Sequence, residues 1–312
     1  TGNGSSKSVN NKCKIIIGSG GSAALLGGQI SNSGVVSAKL GKIALGAGEK
    51  ITLDFVGDGL MSVTVPSNKL SAIKDINGKT LKSIISNSGK LEANGGIIKL
   101  SAATAKDLSR ASVNIGSSGM IVARSVNEKS GKVVIGSPIE DNIKIAGKID
   151  VSGHKSHSPS GTVTVRGRSV SHSGKIFAKG RSGGKVNIIS KDSIKLNGSV
   201  LAQGSIDKGG SVIFMSEKSI NSTPKVVVDV SAPNKAGEIR SLAKTTNTSS
   251  GLFKANSSAG KGGKIDLTGN SVQISKSEIS ATGNKMGGKV RIGGEYLGGK
   301  ELTNTDNKNK QG

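Results

Sequence analysis

Aromatic residues are nearly missing from this 312-residue chain: 2% of the total, with no Trp, one Tyr and four Phe. That shortage sets specific nucleic acid aside as a partner, because rings interleaved with basic residues for stacking on bases are not there. It also fits a core of stacked Val, Ile and Leu ladders of uniform size, in which bulky rings are poorly accommodated. A single cysteine, Cys13, excludes any internal disulfide. No run of 18 apolar residues occurs, so no transmembrane helix is expected. Nor does any window sustain an apolar stripe at i, i+3, i+4, i+7, which excludes long amphipathic helices. Carboxylates are scarce too, with 20 acids against 44 Lys and Arg for a formal net charge of +24.

What the chain does have is 47 Gly and a phrase that returns about every 27 residues. The phrase reads Gly34-Val35-Val36-Ser37-Ala38, Gly59-Leu60-Met61-Ser62-Val63, Gly89-Lys90-Leu91-Glu92-Ala93 and Gly119-Met120-Ile121-Val122-Ala123. It continues as Gly147-Lys148-Ile149-Asp150-Val151, Gly174-Lys175-Ile176-Phe177-Ala178 and Gly198-Ser199-Val200-Leu201-Ala202, with looser copies around Val228, Phe253 and Ile279. A second phrase runs in phase with it, as in Gly183-Gly184-Lys185-Val186-Asn187-Ile188 and Gly262-Gly263-Lys264-Ile265-Asp266-Leu267. A third alternation follows in most units, for example Ile51-Thr52-Leu53, Val113-Asn114-Ile115 and Ile194-Lys195-Leu196. Three short period-2 strands per unit, punctuated by Gly, Asn and Ser, predict stacked coils that bury their apolar side only against one another.

The expected fold is therefore all-β: a single-stranded right-handed parallel β-helix (β-solenoid) of about ten turns of about 27 residues. The expected organisation is a flexible lead over 1–13, the β-helix over 14–300 and a polar tail or linker over 301–312. With Thr1 first and no charged-then-apolar leader, the chain reads as a piece of a longer protein.

Two stretches carry a family resemblance. Leu40 to Phe55, with Gly57-Asp58-Gly59-Leu60 and Ser62-Val63-Thr64-Val65 after it, resembles filamentous haemagglutinin-type exoproteins, the secreted partners of two-partner secretion. Gly287-Gly288-Lys289-Val290-Arg291-Ile292-Gly293-Gly294-Glu295-Tyr296-Leu297-Gly298-Gly299, preceded by Ile279-Ser280-Ala281-Thr282-Gly283, is similar to a segment of the same family. The resemblance covers about residues 14–300 and implies a bacterial surface or secreted adhesin. Such a protein is exported unfolded through an outer-membrane secretion pore and folds outside as a β-helix. The family's secretion domain carries Asn-Pro-Asn motifs, and no Asn-Pro pair occurs here, so the chain would lie at or after the end of that domain.

Charge supplies the functional reading of the residues themselves. No acid precedes Glu49, and none falls between Asp150 and Asp192. The second acid-free stretch holds the candidate polyanion-binding residues Lys155, Arg166, Arg168, Lys175, Phe177, Lys179, Arg181 and Lys185. With Ile176 and Ala178 pointing inward, Lys175, Phe177 and Lys179 point outward together. The plausible partners are anionic surface glycans, either glycosaminoglycan-like or acidic polysaccharide, drawn in by the summed field. The competing reading is a structural stalk whose lysines keep the rod soluble and block strand-edge pairing.

Other chemistry has weaker support in the residues. A polysaccharide lyase or hydrolase would need clustered carboxylates, for which Asp54 with Asp58 and Glu140 with Asp141 are the nearest candidates. Asp54 and Asp58 read as turn residues, and the chain is expected not to be an enzyme. His154, His157 and His172 lack a fourth ligand, so no metal and no cofactor is expected. Gly18-Ser19-Gly20-Gly21-Ser22-Ala23 mimics a dinucleotide fingerprint but lacks the helix and the acid that should follow. Gly78-Lys79-Thr80 lacks the upstream Gly of a phosphate loop.

Overall fold

A computed structural model describes residues 8–48, 50–53, 61–64, 83–102, 111–136, 142–153 and 158–294. Its secondary structure is β throughout, and the strands stack in parallel as a β-solenoid. Each coil has three faces. The first carries the Gly-x-apolar phrase, such as Lys175–Phe177; the second carries the Gly-Gly phrase, such as Lys185 to Ser190; the third carries the remaining alternation, such as Ser193 to Leu196. From Lys175 onward the first and second faces are joined by loops of seven to nine residues, as between Phe177 and Lys185 or Leu201 and Ser211, whereas only three residues separate Ala38 from Lys42. The third and first faces meet at two-residue corners such as Ser173-Gly174 and Asn197-Gly198.

Register follows the apolar pattern. On the third face the inward column runs Ile85, Val113, Ile143, Val170, Ile194, Ile220, Asn247, Val272. These are about seven regular turns of about 26 residues. Tighter coils precede them, with Ile15 over Val36 and Ala23 over Ile43 at steps of 21 and 20 residues. The expected 27-residue period thus describes the longer part of the rod, and the N-terminal coils are shorter.

Between these two parts the chain leaves the solenoid. Asn32 pairs directly with Asn87, and Ile43 with Ile98, so the coil closes across the intervening residues. Inside that excursion Lys50–Leu53 and Met61–Thr64 form a separate antiparallel pair. The expectation that Met61 to Val63 and Ile51 to Leu53 are rungs is corrected accordingly, while Gly59 and Leu60 lie outside the described residues. Alternation alone cannot distinguish a rung from a hairpin strand; the rung's place is filled by Ser83–Asn87. The start of the solenoid also shifts. Ser8–Asn11, expected in a flexible lead, is a strand paired with Gln29–Asn32.

The interior explains the composition. Ile43, Ile98, Val133, Val163, Val186 and Val212 succeed one another on the second face, each fully buried. The first face ends in Ala178 and Ala202, where the methyl groups lie against Gly184 and Gly210 and leave no room for more. Rings are nevertheless accommodated: Phe214 and Phe253 are among the largest buried side chains. Phe214 fits because the next residue in its column is Ser241, a small neighbour that leaves volume for the ring.

The buried asparagines of the third face are satisfied internally. At the N-terminal end of the third face, Asn11 Nδ2 donates to Asn32 Oδ1 at 2.8 Å, and Asn32 Nδ2 to Asn87 Oδ1 at 2.7 Å. Asn247, fully buried in the apolar column, donates to the Ser241 and Thr268 carbonyls and accepts from the hydroxyls of Ser241 and Ser249. Such pairing is what makes a buried amide tolerable.

Candidate functional site

The two-residue corners create a groove on the surface. A Cβ at Gly174 would lie 2.0 Å from the Gly147 carbonyl oxygen, and one at Gly198 would lie 2.2 Å from that of Gly174. Only glycine permits this approach of successive backbones, so the corner presents a strip of bare main chain. That strip floors a groove of about 470 Å³. Ser117, Ser173 and Asn197 line it from the third-face side, and Lys148, Lys175 and Ser199 from the first. At its far end the corner lengthens through Thr223-Pro224-Lys225, which places Lys225 in the lining. The lining contains three lysines and no carboxylate.

Lys148 is held in place. Its Nζ lies 3.4 Å from Asp150 Oδ2 and 4.8 Å from the centroid of the Phe177 ring. Asp150 is 3% exposed and takes Arg124 Nη2 at 2.8 Å and the Ser152 N–H at 3.1 Å. Burial pushes the Asp150 carboxyl up, but hydrogen bonds from Arg124 and Ser152 outweigh it and hold the group below its ordinary value. Lys175 and Lys225 are exposed and have no ion pair among the described residues. They are the free charges of the groove.

Directly behind the groove wall sits His172, 1% exposed and stacked between Ile145 and Leu196. Its Nε2 donates to the Ser199 carbonyl at 3.3 Å in the tautomer that carries hydrogen there, and Nδ1 has no partner. Desolvation lowers its pKa to about 4, so the imidazole is neutral at ordinary pH. It is a wall residue, buried among apolar neighbours.

The expected basic cluster is divided by the fold. Lys175, Phe177 and Lys179 lie together on the outer side of the first face, with Ile176 and Ala178 fully buried between them. The ring of Phe177 is approached by Lys148 and, at 5.8 Å, by Lys179, and so serves as a cation platform. Arg181 belongs to the loop between first and second faces and pairs with Asp207 at 2.9 Å, while Lys185 opens the second face. Arg166 and Arg168 lie at the bend from second to third face, where Arg168 pairs with Asp192 at 2.7 Å. Hydrogen bonds from Lys218 and then Arg168 hold the Asp192 carboxyl below its ordinary value. Of the eight expected residues only Lys175 lines the groove; Lys155 lies outside the described residues.

Sequence reasoning missed Lys148 and Lys225. Lys148 was legible, since Gly147-Lys148 and Gly174-Lys175 occupy the same place in consecutive copies of the first phrase. Lys225 sits in an irregular corner that no periodicity marks. The candidate carboxylate pairs Asp54–Asp58 and Glu140–Asp141 fall outside the described residues, as do His154, His157 and Gly78-Lys79-Thr80. Among the described residues no three His, Cys, Asp or Glu side chains gather as a metal-binding group, and no helix is long and apolar enough to cross a membrane. The glycines around Gly20 lead into a strand, Ser22–Gly27, not into a helix. No family model and no curated protein matches the chain.

Proposed function

We propose that this chain is a non-enzymatic segment of a bacterial surface or secreted rod of the filamentous haemagglutinin type, and that it binds acidic glycans. The observation that carries the reading is the corner groove, where Lys148, Lys175 and Lys225 converge over a glycine floor without a carboxylate in the lining. Serine and asparagine side chains on one wall offer hydrogen bonds to sugar hydroxyls, while the lysines offer charge to carboxylate or sulfate groups. Lys148 is pre-oriented by Asp150 and Phe177, which lowers the entropy lost on engaging an anion. Export through a two-partner secretion pore and a place on the cell surface follow from the family resemblance and form part of the same proposal.

A stalk that presents another domain is the second reading. It is favoured by the exposed Lys144 and Lys195 on the third face, which do not line the corner groove and suit general solubility. Retention on immobilised heparin across a salt series separates the two. The binding reading expects saturable retention near physiological salt that K148S/K175S/K225S abolishes and K144S/K195S leaves in place. Equal loss in both variants, or no retention at that salt, would leave the stalk.

A further inference from the structure

A second basic feature lies on a different edge of the rod. Lys208, Lys235 and Lys261 occupy successive coils of the loop joining first and second faces, and pair in parallel one above another. Their backbones are fixed rung by rung: the Lys235 carbonyl accepts the Gly209 N–H at 2.9 Å, and the Lys261 carbonyl accepts that of Ala236 at 3.0 Å. All three side chains are exposed. Among the described residues none of the three has an ion-pair partner. The nearby carboxylates are already engaged, Asp207 with Arg181 at 2.9 Å and Glu238 with Lys264 at 3.5 Å.

Like charges held in register one strand spacing apart, ~4.8 Å, repel one another and destabilise the stack. A stack that makes this like-charge step twice, with no counter-charge among the described residues, favours binding of an anion. We infer that Lys208, Lys235 and Lys261 form a linear track for an extended acidic polysaccharide lying parallel to the rod axis. An extended polyanion lying along the rod presents its charges in a row, so one chain can meet all three lysines at once. Ile206 and Met286, 38% and 57% exposed, flank the ladder at its two ends and offer apolar surface to the C–H faces of sugar rings. Among the described residues bases would find no stacking partner on this edge, since Phe214 and Phe253 are buried and Phe177 lies on the first face against Lys148. The ligand class rests on the reading given for the groove; the location does not.

The test uses the full chain, a galacturonate hexamer and the galacturonate monomer. Titrations compare the parent protein with K208S/K235S/K261S, the groove variant K148S/K175S/K225S and the equal-charge control K144S/K195S/K244S. The ladder variant is expected to weaken hexamer binding about tenfold at low salt, with a shallower salt dependence, while the control stays within about twofold. The monomer should not distinguish the ladder variant from the parent. All substituted lysines of the ladder are exposed, so unchanged circular dichroism serves as the folding check. Separately, K235S alone should raise the melting temperature at low salt, and hexamer should raise that of the parent. Hexamer affinity that is unchanged in the ladder variant, or lost equally in the control, overturns the track. Loss in the groove variant alone would reject the ladder and keep the groove; loss in neither would reject both. Tighter ladder-dependent binding of single-stranded DNA or of anionic vesicles would overturn the ligand class.

Discussion

The two edges of the first face are built on opposite terms. Where the third face turns into the first, two residues suffice, and the backbones of successive coils come so close that glycine is required at Gly147, Gly174 and Gly198. Where the first face passes into the second from Lys175 onward, seven to nine residues intervene, and their side chains vary from Arg181 to Lys208 to Met286. The tight edge makes a groove because side chains are excluded from it. The loose edge makes a ladder because side chains are free to accumulate. Backbone geometry determines the first site and side-chain choice the second.

Substitution at the tight edge should break that contrast most severely. Gly174→Val sets a side chain against the Gly147 carbonyl and should cost about 3 kcal/mol, read as a fall in denaturation midpoint. Gly287→Ala, where nothing lies within 4 Å of the added methyl, should leave the midpoint unchanged. If both substitutions behaved alike, close approach of the coils would not be the reason for the corner glycines.

Acid should act next, through the groove wall. His172 is neutral in the folded rod down to about pH 4, whereas in the unfolded chain it gains a proton near pH 6.5. The unfolded state therefore binds more protons between those values, so stability is full above about 6.5 and declines as pH falls toward 4. The loss approaches about 3 kcal/mol below the folded value. His172→Leu, which matches Leu196 in the same column, should flatten this part of the pH profile. An unchanged profile would remove His172 as its source.

A smaller effect is expected from the amide ladder of the short N-terminal coils. Asn32→Ala strands the Asn11 donor and the Asn87 acceptor and should cost about 2 kcal/mol. Replacing Asn11, Asn32 and Asn87 together by Ile should recover most of it, because Ile115 and Ile145 already continue that column. Failure to recover would mean that the amides do more than pair with each other.

Much of the fold was legible because stacking repeats one short code. A glycine followed two positions on by an aliphatic residue, and two further on by a small or apolar one, marks the first face from Gly34 to Gly198. The same code misled at Met61 to Val63, whose strand pairs antiparallel with Lys50–Leu53 outside the ladder. Period-2 alternation specifies a strand, not its neighbour. The candidate site was less legible for a related reason. Reading the charged stretch as a block put Arg168 and Arg181 with Lys175, although pairing with Asp192 and Asp207 commits the two arginines elsewhere. Reading lysine by position in the repeat would have found Lys148 beside Lys175, and the residue before each Gly-Gly phrase would have found Lys208 and Lys261.

Lysine footprinting tests the groove most directly. The full chain is acetylated briefly with and without an acidic hexasaccharide near physiological salt, and each lysine is quantified by mass spectrometry. The account predicts protection of Lys148, Lys175 and Lys225, with Lys144 and Lys195 as reactive as before. Uniform protection of all five, or none at the groove, would contradict it.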